Sequence, residues 1–143
     1  MKELNESFPE LAKEVMFLIE EGNKLSSINN YESAISFYNK AWSLIPEPKL
    51  GWEMVSSWIA GSFFTVYFRL EKYLDAKKWA VIQLDTDDSP NNTGPIIALG
   101  MVCFELNELE LASKHFDIAY KYGNERAFKG RPDKYLKFYL DSK

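Results

Sequence analysis

The densest run of oxygen-bearing side chains is DTDDSPNNTG, residues 85–94, whose spacing faintly resembles that of a calcium loop. A calcium loop needs glycine at its sharp turn and a bidentate glutamate at its end. Pro90 and Ile96 stand at those places, so no metal is expected there. Nucleophilic catalysis needs a thiol or hydroxyl with a base beside it. Cys103 is the only cysteine and His115 the only histidine. Those single copies exclude an intrachain disulfide, a Cys/His zinc site and a paired-cysteine redox motif. Cys103 reads as a buried, inert thiol, and His115, one residue before the apolar Phe116, as an outward or boundary residue. Glu20 and Glu21 are adjacent, so a helix points them to different parts of its circumference. Neither GxxxxGK[ST] nor GxGxxG occurs, which leaves a phosphate cradle without support. The chemistry-bearing residues thus point to no catalytic group, no cofactor and no metal.

The elements that carry these residues belong to a chain of 143 residues, long enough to bury a core and most simply one domain, 1–143. Hydrophobic content of 46% excludes intrinsic disorder, and seven glycines and six prolines leave little punctuation for a β-sandwich. No apolar run approaches the roughly 20 residues that span a bilayer, and MKELNESFPELAKEV has no signal-type apolar stretch. A cytoplasmic location is the default expectation. The sequons Asn5-Glu6-Ser7 and Asn91-Asn92-Thr93 are then chance matches. Charge is unevenly spread: residues 1–113 carry 9 basic and 17 acidic groups, whereas residues 114–143 carry 8 basic and 4 acidic groups. An acidic body argues against nucleic acid and favours a basic protein partner.

Helical periodicity runs through most of the chain. SFPE suggests a first helix capped by Ser7, with Leu11, Val15, Leu18, Ile19 and Leu25 on one face. YESAISFYNKAWSLIP is a second helix, stopped by Pro46 and Pro48. LGWEMVSSWIAGSFFTVYFRLE and LDAKKWAVIQLD make another pair, and IIALGMVCFELN with ELASKHFDIAYKYG a third. PDKYLKFYLDS is a short last helix, giving seven in all. The second helices align on Ala34, Ala76 and Ala112, at spacings of 42 and 36 residues. Those spacings are a 34-residue unit with inserts of eight and two, a helix-turn-helix period.

These residues resemble the tetratricopeptide repeat family. In the first unit, 15–48, Gly22, Ala34, Tyr38, Ala41 and Pro46 match, while Leu18, Glu21 and Leu25 replace favoured residues. In the third, 93–126, Leu99, Gly100, Ala112, Phe116 and Ala119 match and Asn124 replaces the proline. The second, 57–90, keeps Tyr67 and Ala76, but Phe64 replaces the glycine, Ala80 the aromatic and Gln83 the second alanine. The resemblance implies an all-α fold of three helix-turn-helix units stacked as a short solenoid, closed by a capping helix at about 132–142. Tyr135, Leu136, Tyr139 and Leu140 are expected to turn inward from that cap.

The resemblance also implies a concave face lined by the first helix of each unit. Its positions fall on Met16, Ile19, Asn23 and Ser26; on Trp58, Gly61, Thr65 and Phe68; and on Gly94, Ile97, Met101 and Phe104. Family members that grip a peptide's terminal carboxylate need a Lys/Asn/Arg set there, and only Asn23 is present. The face is apolar and aromatic, which suits a hydrophobic or helical segment of another protein. The alternative is that Trp58, Phe68 and Phe104 are core, or are covered by the last helix. The expected role is a non-enzymatic protein-binding module, a monomer or weak dimer with no nucleic-acid or membrane partner. The compact length, acidic body and terminal YGNERAFKGRPDKYLKFYL resemble small bacterial immunity proteins, which neutralise a toxin, here a basic one. An adaptor or secretion chaperone would use the same face, and a peptide-sensing regulator would need a separate effector domain.

Overall fold

The structure, a computed structural model, describes residues 3–86 and 92–142. Half of the calcium-like run, 87–91, which includes Pro90 and Asn91 of the second sequon, lies outside the described residues. Eight α-helices and two short 3-10 turns make up the described residues, with no strand among them. They divide into two compact units, Met1–Asp87 and Asp88–Lys143.

The first unit holds α1 (Leu4–Ser7), α2 (Pro9–Ser27), α3 (Tyr31–Leu44), α4 (Glu53–Arg69) and α5 (Tyr73–Thr86). Helices α2 and α3 form one hairpin, α4 and α5 the next, and α4 packs on both members of the first. Ala12, Val15, Ile19, Gly22 and Ser26 form the buried stripe of α2, at the three- and four-residue spacing of a single helical face. Between the helices lies a run of rings. Tyr38 meets Phe63 edge-on at 5.4 Å, Phe63 stacks on Trp79 at 4.0 Å, and Trp79 meets Trp42 at 5.1 Å. Offset and edge-on contacts of this kind add to what area burial alone contributes.

The start of α2 differs from the sequence expectation. Ser7 ends the one-turn helix α1 rather than capping α2, and Phe8 occupies the cap position with no side-chain hydrogen bond. Leu4 of α1 is buried, and the Phe8 ring lies edge-on to Trp52 at 5.8 Å.

The second unit holds α6 (Gly94–Glu105), α7 (Leu109–Gly123), a 3-10 turn (Asn124–Phe128) and α8 (Asp133–Asp141). Pro95 to Cys103 are all buried, so α6 is apolar around its whole circumference. The cap is confirmed in kind and corrected in detail. Tyr135 and Tyr139 are buried, and their hydroxyls donate to Glu105 and Asp117. Leu140 is 39% exposed and Leu136 half-buried. Phe138 turns inward instead, its ring against Phe104 and Phe116.

All three hairpins turn by the same device. Asn29, Glu71 and Asn107 adopt left-handed backbone, with φ of 63°, 58° and 63°. The following amide closes a wide loop back onto the helix: Asn30 N–H to Leu25 O, Lys72 N–H to Tyr67 O, and Glu108 N–H to Cys103 O. The left-handed residue itself donates to Ser26, Phe68 and Phe104 carbonyls respectively. This pair of bonds satisfies carbonyls that a helix end leaves open. The turns recur at the register of Ala34, Ala76 and Ala112, all fully buried.

Candidate functional site

Two clefts open on the first unit and share Met54 and Trp58. One, of about 390 Å³, has a polar floor and no charged lining residue. There the Tyr38 hydroxyl donates to Asn23 Oδ1 at 2.5 Å, and Thr65 Oγ1 donates to the Gly61 carbonyl at 3.0 Å. Burial pushes the Tyr38 phenol above its usual range, a rise partly offset by hydrogen bonding to Ser62 and Ser26. Gln83 closes one side by donating from Nε2 to the Ser57 carbonyl at 3.3 Å. Its amide comes so near α4 that a β-carbon on Gly61 would lie 2.7 Å from Nε2.

The second cleft, of about 420 Å³, is more apolar. Met16, Met54, Val55 and Trp58 line it, with Glu6 of α1 and Glu3 just before that helix. Met54 is 67% exposed, Met16 43% and Trp58 36%. Side chains at this exposure lie outside the buried core.

The expected concave-face residues thus separate. Asn23, Trp58 and Thr65, with Ser26 and Gly61, meet in the polar-floored cleft, and Met16 joins Trp58 in the apolar one. Ile19 does not reach either; it is fully buried in the stripe of α2. Phe68 is half-buried, its ring held by Phe64 at 5.4 Å and Tyr73 at 5.3 Å. In the second unit Ile97 and Met101 are buried, so packing occupies them. Phe104 is overlaid by α8, with Tyr135 and Phe138 rings at 5.4 and 5.1 Å and Lys134 Nζ 5.7 Å from its centre. For Phe104 the alternative of a covering last helix is the arrangement found.

Met54, Val55, Gln83, Glu3 and Glu6 were not anticipated. Met54 was within reach of the sequence, since it stands four residues before Trp58 and so shares its helix face. Cys103 is buried, as expected, and His115 half-buried. Among the described residues no three His, Cys, Asp or Glu side chains gather as a metal site would require. No described helix is long and apolar enough to cross a membrane.

Paired helices, alanine contacts and repeated turns define a tetratricopeptide-like fold. The chain is similar in structure to the C-terminal tetratricopeptide-repeat-containing domain of a Plasmodium falciparum FK506-binding protein. The TM-score is 0.73 at 19% identity, covering 92% of this chain and 87% of that one. No protein-family model and no curated protein sequence matches.

Proposed function

We propose that the chain is a non-enzymatic module that binds another protein through the paired clefts of its first unit. The observation that carries this reading is Trp58, an exposed indole at the boundary of both clefts, flanked by the exposed Met54 and Met16. Aromatic anchors at the centre of a contact surface commonly supply most of the binding energy, and methionines adapt to the partner's shape. The polar floor beside them offers hydroxyl and amide groups that suit a peptide main chain.

The finer reading is a small bacterial immunity protein that acts in the cytoplasm, as a monomer or weak dimer, to neutralise a basic toxin. It draws on the acidic excess of residues 1–113 and on the resemblance of the C-terminal stretch. An adaptor or secretion chaperone is the rival within the same class. A photo-crosslinking residue at position 58, compared with one at the exposed position 36, tests the module in its native cell. A partner captured from 58 and not from 36 supports it; capture of the same proteins from both, or none from 58, overturns it. A toxin gene beside this one, with growth rescued on co-expression, supports immunity over the rival.

A further inference from the structure

Building on the protein-binding reading, we infer that the apolar cleft receives a basic peptide segment, a bulky apolar side chain flanked by lysine or arginine. The cleft supplies both halves of that chemistry. Met16, Met54, Val55 and Trp58 form an apolar receptacle, and Glu3 and Glu6 stand at its edge. Among the described residues, no lysine or arginine lines either cleft. Neither Glu3 nor Glu6 makes an ion pair among the described residues.

Among the described residues, the charged side chains that line the cleft are both acidic. Residues 3–21 carry six glutamates and one lysine, and that lysine, Lys13, already lies 3.8 Å from Glu10. A surface of this kind attracts cations during encounter and repels anionic lipid and nucleic acid. A carboxylate next to apolar side chains is also poorly screened once the partner displaces water, which strengthens its attraction for a cation. The apolar receptacle fixes where the segment sits, and the glutamates select its charge.

The test uses the whole chain and two fluorescein-labelled synthetic peptides. One places leucines and lysines in helical register; the other replaces each lysine by glutamate. Anisotropy should show binding of the basic peptide and none of the acidic one. Glu3→Lys with Glu6→Lys should weaken the basic peptide about tenfold and flatten its salt dependence, and Trp58→Ala should weaken it similarly. Glu110→Lys with Glu125→Lys, equal in charge change but on exposed residues of the second unit, should leave binding nearly unchanged. Circular dichroism on each variant separates lost binding from lost folding. Equal binding of both peptides, or equal weakening by both charge reversals, overturns the inference. So does a dimer that Trp58→Ala dissociates, because a second copy would then occupy the cleft. Capture of a partner through position 58 by a chain indifferent to the basic peptide would end this inference and leave the module standing.

Discussion

Gly22 and Tyr38 approach so closely that a β-carbon on the glycine would lie 2.5 Å from Cε1 of the tyrosine ring. Gly100 and Phe116 repeat the relationship, again at 2.5 Å and again 16 residues apart. Neither ring can retreat: both are buried, and Tyr38 is also held by Phe63 and Asn23. Gly22→Ala and Gly100→Ala should therefore each destabilise by about 1–3 kcal/mol despite alanine's better helix propensity. Gly61→Ala meets only the end of the long Gln83 side chain, held by a single 3.3 Å hydrogen bond, and should be near neutral. Urea midpoints on the three variants check the ordering.

The alanine register gives a second expectation. Ala34→Leu and Ala112→Leu, at fully buried sites, should each cost about 1–3 kcal/mol through overpacking. Ser36→Leu, on an exposed position, should stay within about 0.5 kcal/mol of wild type. Equal denaturant midpoints for all three would reject the role given to the alanines.

Glu71 carries a strain that Asn29 and Asn107 largely avoid. All three are left-handed, but glutamate lacks the short side chain that lets asparagine visit this region. Glu71→Gly should therefore raise stability by about 0.5–1 kcal/mol, visible as a higher melting temperature. Asn107→Gly should gain less.

How much of this was legible depended on the range of each signal. The alanine register survives in the sequence because a close helix contact admits few residues, so Ala34, Ala76 and Ala112 stood out. The left-handed turns were harder to see, because Glu71 breaks the preference that Asn29 and Asn107 display. Helix α1 is one turn long, too short for any periodicity, and Glu3 and Glu6 were missed with it. Ile19 and Met101 were placed on the concave face by family position alone, yet both are buried. Helical spacing identifies a face, and the neighbouring helices decide how far it stays open.

Trp58 and Phe104 should now behave differently. Trp58→Ala removes a partly exposed ring and should cost about 2 kcal/mol or more of partner binding with little loss of folding stability. Phe104→Ala opens a void beneath Tyr135 and Phe138 and should cost about 3 kcal/mol of stability. Thermal melts and binding measured on the same two proteins check the split.

Alkaline pH offers a further check. Burial raises the Tyr38 phenol, so the folded chain holds that proton more tightly than the unfolded chain does. Stability should be unaffected below pH about 10 and should fall as pH rises through the folded value. Tyr67 is raised as well, by burial and by Asp75, and adds to the same slope. Tyr38→Phe should leave a shallower loss, measured by urea midpoints alongside the phenolate absorbance. An unchanged slope would mean that Tyr38 titrates as it does in the unfolded chain.

In the middle hairpin the tight glycine and aromatic pair is inverted in size. Phe64 stands on the first helix where its neighbours carry Gly22 and Gly100, and Ala80 on the second where they carry Tyr38 and Phe116. Both residues are buried. A crossover that exchanged single helices between hairpins would set glycine against alanine, leaving a void, or Phe64 against another ring, forcing a clash. Exchange of entire hairpins keeps each bulky residue with its small partner. The inheritable unit of this architecture is accordingly the hairpin, and breakpoints inside one should be selected against.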